Sequence, residues 1–335
     1  MRIRRGEGRQ RRVRSGIWGV VAAVAALAGC GGGGTGDGET ASGRPLRVVA
    51  TTGMIADLAA TIGAERVRVT GLMGPGVDPH LYKASAGDVR TLAGADVIFY
   101  NGLHLEAAMA EVLEEMGTRG HTVPVAEEVP PERRIASAAF SGSWDPHVWF
   151  DVSLWALAAG AVERTLVELD PQGTAVYAAN AAALADTLRA LDAWIRQRVE
   201  EVPADKRVLV TAHDAFGYFG RAYGFEVVGL QGISTASEVG TADIRRLADL
   251  VVRRRIPAMF VETSVSPRTI EAVRAAVRDR GFEVRLGGSL FSDAMGNPGT
   301  AEGRYPGMVR HNVNTIAAAL APAAEGPGNG GGAER

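Results

Sequence analysis

The tripeptide Asp-Pro-His occurs twice in the chain, at Asp78-Pro79-His80 and at Asp145-Pro146-His147. Each copy lies in a Gly/Pro/Ser-rich stretch, and an aromatic residue follows two positions on, Tyr82 in one and Trp149 in the other. Proline stiffens the backbone on the N-terminal side of each histidine, which suits a task that needs a fixed imidazole. Imidazole is the commonest metal-ligating side chain, so a shared metal site is the simplest joint role. Asp-Pro is also an ordinary turn dipeptide, and the repeat alone does not separate the two readings. Two further residues bear on the choice. His213 follows the apolar run Val208-Leu209-Val210-Thr211-Ala212, and Asp293 sits within Leu290-Phe291-Ser292-Asp293-Ala294-Met295-Gly296. Three imidazoles and one carboxylate would complete the shell of a first-row dication.

The elements that must position these four residues alternate between short β-branched runs and Ala/Leu-rich helical runs. Strands are expected at 47–51, 66–72, 97–100 and 122–125, with helices at 55–61, 86–93 and 106–116. The second half repeats the pattern, with strands at 208–211, 226–228, 258–261 and 283–286 and helices near 215–223, 241–255, 267–280 and 303–321. Such alternation predicts an α/β fold of two lobes, each with a mostly parallel sheet flanked by helices. Between them, 171–202 is Ala-rich, and Leu184, Leu188, Leu191 and Ile195 recur at helical spacing. One long, rigid connecting helix is expected there. Ligands of open parallel sheets bind beyond the carboxyl ends of the strands. His80, His147, His213 and Asp293 all fall at that edge, two from each lobe.

Other residues near this edge have more ordinary roles. Glu262 ends a strand and is expected either to orient a ligand histidine through its other ring nitrogen or to pair with an arginine. His104 suits capping or support, His121 an exposed turn, and His311 a structural hydrogen bond. Trp144 and Trp149 are expected to pack the loop carrying His147. Gly287-Gly288 and Gly296 flank Asp293 and mark its loop as the one expected to move.

The N-terminus reads as an export signal. Seven Arg and one Glu occupy residues 1–16, and a short apolar segment runs from Ile17 to Gly29. That segment is too short for a permanent membrane span and fits a signal peptide at 1–29. It closes on Leu27-Ala28-Gly29-Cys30, which resembles a bacterial lipobox and makes Cys30, the chain's one cysteine, the expected lipidation site. Residues 30–45 are Gly-rich and read as a flexible linker. The lobes then span 46–170 and 204–323, with the connecting helix at 171–203 and a disordered tail at 324–335. The chain carries 36 basic and 38 acidic residues, and removal of the signal's seven Arg and one Glu leaves a net charge of −8. That balance disfavours nucleic acid as a partner and suits cations.

Several segments together resemble one known family. They are Gly-Val-Asp-Pro-His-Leu-Tyr at 76–82, Asn-Gly-Leu-His-Leu-Glu at 101–106, Asp-Pro-His-Val-Trp at 145–149 and Thr-Ala-His-Asp-Ala-Phe-Gly-Tyr-Phe at 211–219. Gly-Ile-Ser-Thr-Ala-Ser-Glu at 232–238, Phe-Val-Glu-Thr-Ser-Val-Ser-Pro at 260–267 and Phe-Ser-Asp-Ala-Met-Gly at 291–296, trailing into Gly-Met-Val-Arg-His-Asn at 307–312, complete the set. The chain resembles the TroA-type solute-binding lipoproteins of bacterial ABC transporters for zinc and manganese, over residues 46–322. The resemblance implies His80, His147, His213 and Asp293 as metal ligands, a rigid interlobe helix and a membrane permease as partner. It also implies a monomer, lipid-anchored outside the cytoplasm, with one divalent ion as cargo. The His-rich loop of many zinc-dedicated members is missing from 126–143, and His213 stands where many manganese-dedicated members have Glu. Imidazole-rich ligation favours Zn(II), while the carboxylate admits Mn(II) or Fe(II). Alternative readings are a zinc-dependent extracytoplasmic metalloenzyme and a surface adhesin. A catalytic zinc usually keeps an open position, and no His-Glu-x-x-His, Gly-x-Ser-x-Gly or phosphate-loop motif occurs. No enzymatic activity is therefore expected.

Overall fold

The structure, a computed structural model, describes residues 44–137 and 142–321. The signal, Cys30, most of the linker and the whole of the tail lie outside these residues. In the N-terminal half, strands β1 (Leu46–Ala50), β2 (Val67–Gly71), β3 (Val97–Tyr100) and β4 (His121–Pro124) form one parallel sheet in the order β2-β1-β3-β4. Val48 pairs with Val69 on one side and Val97 on the other. Helices α1 (Gly53–Gly63), α2 (Ala86–Ala93) and α3 (Ala110–Gly117) connect the strands. Ser85 and Asp88 form a reciprocal capping box that starts α2, each side chain accepting the other's backbone N–H.

In the C-terminal half, β5 (Val208–His213) pairs with β6 (Glu226–Gln231), and β7 (Ala258–Glu262) pairs with β8 (Arg285–Leu290), both in parallel. These are two separate ladders, with β5 lying alongside β7. Every residue of β5 is buried, as expected of a strand covered on both faces. Helices α6 (Gly217–Tyr223), α7 (Thr241–Arg254), α8 (Arg268–Arg278) and α9 (Tyr305–Leu320) flank the ladders.

Two helices lie between the halves. Sequence reading missed α4 (Val152–Leu169), which begins at Asp151, where the carboxylate accepts from the N–H groups of Ser153 and Leu154. The expected connecting helix is α5 (Thr174–Val199), preceded by a 3-10 turn at Pro171–Gly173. Its 26 residues span about 39 Å, and Leu184, Leu188, Leu191 and Ile195 form its buried stripe. That stripe packs on α1, α4 and α9, so side chains from both halves share one continuous apolar core. Tyr177 and Arg66 both bond Asp170 at the start of α5, fixing that end to the N-terminal half.

Strand β8 begins two residues later than expected and continues through Gly287 and Gly288 to Leu290. These glycines serve close packing. A Cβ at Gly287 would sit 2.6 Å from the Phe260 ring and 2.8 Å from the Ala319 Cβ, and one at Gly288 would sit 2.6 Å from Thr315. A Cβ at Gly296 would lie 2.7 Å from the Glu302 Cβ. The flanks of Asp293 are therefore tight.

Candidate metal centre

All four candidate residues converge between the halves. One side-chain donor atom from each of His80, His147, His213 and Asp293 lies within 4.8 Å of the other three, and all four residues are buried. His80 arrives on the loop after β2, and His147 on the approach to α4. His213 is the last residue of β5, and Asp293 follows β8. His80 Nε2 and His147 Nε2 are 3.3 Å apart. Asp293 Oδ1 lies 3.4 Å from His147 Nε2, and its Oδ2 lies 3.1 Å from His213 Nε2 and 3.8 Å from His80 Nε2. Ligand bonds of 2.0–2.1 Å place the corners of a tetrahedral zinc shell about 3.3 Å apart, and these separations lie close to that value. His213 Nε2 and both Asp293 oxygens are buried without a well-formed hydrogen bond among the described residues. Buried polar atoms are rarely left so, and a cation is the partner that satisfies them together.

The rings are oriented by carboxylates. In the second Asp-Pro-His, Asp145 Oδ1 accepts both the backbone N–H of His147 at 2.9 Å and its Nδ1–H at 2.7 Å. At β5, Glu262 Oε1 accepts the His213 N–H at 2.9 Å and Oε2 accepts its Nδ1–H at 2.5 Å. Glu262 thus bonds the imidazole and not an arginine. Each carboxylate accepts a hydrogen bond from the ring Nδ1–H and so leaves Nε2 facing Asp293, as the nitrogen a metal would bind once its proton is displaced. In the first Asp-Pro-His, Asp78 Oδ1 accepts the His80 N–H at 2.9 Å, but its other oxygen accepts from Thr235 Oγ1 at 2.6 Å. No carboxylate among the described residues bonds the second ring nitrogen of His80.

The protonation balance follows from these contacts. Burial works against charge on His147, but Asp145 and Asp293 outweigh it and raise the imidazole pKa to about 9. Burial likewise opposes charge on His213, and Glu262 with Asp293 again prevails, lifting it well above its ordinary value. On Asp293 burial favours the neutral acid, but the two imidazoles hold it well below the usual carboxylate range. For His80 burial prevails over the more distant Asp293 carboxylate, with the two neighbouring imidazoles adding to it, and the pKa is pushed down to about 3.

The surrounding residues hold this geometry in place. Trp149 packs edge-on against His147 at 5.2 Å, and its Nε1–H donates to the carbonyl of Ser292, so it braces the Asp293 loop as well. Trp144 instead receives the Arg134 guanidinium on its ring face. Asn312 Oδ1 accepts from Phe291 N–H and its Nδ2 donates to Phe291 O. Buried Glu106 accepts from the backbone of Asn101 and Gly102, while Asn101 Nδ2 donates to Pro146 O. That supporting role for 101–106 was missed from sequence, because nothing local links Asn101 to Pro146. His104 is exposed at a positive φ of 67°, His121 is exposed at the start of β4, and His311 Nε2 donates to Ser289 O.

Fold and site together define a class, a two-halved α/β protein with a helical spine and a buried cluster of three imidazoles and a carboxylate between the halves. The family model described as zinc-uptake complex component A, periplasmic (ZnuA) matches residues 48–319, and the chain belongs to that family. It is 52% identical over 281 residues to the zinc-binding protein TroA of Treponema pallidum, covering 84% of this chain and 90% of that one. It is 47% identical over 301 residues to the manganese-binding lipoprotein MntA of Bacillus subtilis, covering 90% and 97% respectively. The solved structure of the Treponema pallidum periplasmic zinc-binding protein superposes with a TM-score of 0.81 at 51% identity, over 83% of this chain and all of that one. The resemblance drawn from the motifs is therefore to the right family.

Proposed function

We propose that this protein captures one divalent transition-metal ion outside the cytoplasm and delivers it to the membrane permease of an ABC transporter. His80, His147, His213 and Asp293 are the ligands, and the metal is cargo. The convergence of four buried donors within 4.8 Å of one another, three of their atoms otherwise unsatisfied, carries this reading. Four protein ligands close the shell against water, which suits capture and not hydrolysis. Zn(II) is the favoured cargo because imidazole ligation and the Irving–Williams order place it above Mn(II) and Fe(II). The −8 balance beyond the signal suits a cation carrier. Cys30 would carry the lipid anchor, residues 30–45 the leash, and the monomer would span two lobes at 46–170 and 204–323 with the helix of 171–203 between them. Among the described residues no helix is long and apolar enough to cross a membrane. The test is a competition titration of metal-stripped protein with Zn(II) and Mn(II). The expected result is one equivalent bound, with zinc displacing manganese. A protein that binds neither ion stoichiometrically refutes the proposal.

A further inference from the structure

The two Asp-Pro-His copies are identical in sequence and are used differently. Asp145 spends the same oxygen on the backbone and the ring of His147. Asp78 bonds only the backbone of His80 and gives its second oxygen to Thr235, a residue of the C-terminal half 157 positions away. Among the three imidazoles, His80 alone has its motif carboxylate engaged by a side chain of the opposite half in place of its own ring. The loop bearing His80 also touches that half at Gly76, where a Cβ would lie 3.3 Å from Thr263 O. Leu81, beside His80, is 53% exposed, so the tip of the loop lies at the surface, while Met73, Val77 and Tyr82 pack its two stems on the N-terminal half. The Asp293 loop differs, being bonded by Asn312 and Trp149 and by Ser264 through Ser292.

We infer that Thr235 is a positioning residue, which through its 2.6 Å bond to Asp78 latches the His80 loop in its metal-holding position, and that cargo leaves by release of this latch. This rests on the function proposed above. A short hydroxyl-to-carboxylate bond at a nearly buried residue is strong enough to hold the loop and, being single, can be broken without disturbing either core. Opening it frees one ligand of the four and leaves the braced His147, His213 and Asp293 in place.

The experiment loads metal-stripped parent, Thr235→Ala and Thr235→Ser proteins with one equivalent of Zn(II) and times release into excess chelator. Thr235→Ala should release zinc about ten- to a hundredfold faster, the loss expected for one hydrogen bond to a charged group. Its association rate should be little changed, and Thr235→Ser should release at nearly the parental rate. Hydrogen exchange of the metal-bound alanine variant should rise in residues 72–85 and stay unchanged in 288–299. Parental release from Thr235→Ala overturns the latch, as does equal acceleration by both variants or exchange rising throughout the C-terminal half. If the parent itself takes up no Zn(II), the proposed function falls and the latch with it. A parent that binds zinc beside an alanine variant with unaltered release refutes the latch alone.

Discussion

Glu262 holds His213 at two points, its Oε1 on the backbone N–H at 2.9 Å and its Oε2 on the ring Nδ1–H at 2.5 Å. The pair joins the ends of β7 and β5, two neighbouring strands that belong to separate ladders, and it sets which nitrogen of His213 faces the site. Glu262→Gln keeps the size and removes the charge that makes the imidazole a strong donor to a metal. Zinc affinity should fall by about 10–100-fold. A competition titration giving the parental affinity would show that this carboxylate serves the fold only.

Removing a ligand should uncouple metal from stability. A ligand that binds only the folded state raises its stability by mass action, about 4 kcal/mol at a thousandfold excess over Kd. Zinc should therefore raise the Tm of the parent and of His121→Ala, whose side chain is exposed in β4. For His147→Ala and His213→Ala the rise should be largely lost. If both variants keep the parental zinc-induced shift, the site assignment is wrong.

The pH behaviour differs from that of free imidazole, which titrates near 6.5. His147 in the metal-free protein has a pKa of about 9, so it carries a proton at neutral pH that metal must displace. Binding at pH 7.5 should release protons, and affinity should climb as pH rises toward 9. Its raised pKa also stabilises the metal-free fold. That contribution is complete below about pH 6.5 and is lost as pH rises through about 9. His80, pushed down to about 3, acts in the opposite sense and costs stability as pH falls from 6.5 toward 3. Urea midpoints of the metal-free protein should therefore decline from pH 6.5 to 9. A flat or rising profile over that interval contradicts the placement of Asp145 and Asp293 on His147.

One shared core implies one cooperative unit. Leu191 is fully buried on α5, in the cluster to which α1, α4 and α9 also contribute. Leu191→Ala should cost about 2–5 kcal/mol and lower a single unfolding transition, not split it in two. Small-angle scattering should give nearly the same dimensions with and without zinc. A metal-dependent compaction of the size of a domain closure would mean that α5 bends.

The sequence by itself determined the alternating elements, the stripe on α5 and the four residues at the carboxyl ends of the strands. Each is written locally, in periodicity, in a proline beside a histidine, or in a run that ends at a polar residue. The family-like segments marked more positions than the local chemistry could explain, Asn101 and Glu106 among them. Tertiary structure decided what those residues do. Glu262 could have met an arginine or an imidazole, and only the adjacency of β5 and β7 puts it on His213, 49 positions away. Gly287 and Gly288 look like flexible flanks in one dimension, while packing against Phe260, Ala319 and Thr315 makes them a tight fit. The two Asp-Pro-His copies cannot be told apart from their residues, yet one carboxylate grips its own ring and the other reaches across to Thr235. Hydrogen bonds and close packing form between side chains that are neighbours in space, and a pairing across 157 positions leaves no periodicity or spacing for a linear reading to detect.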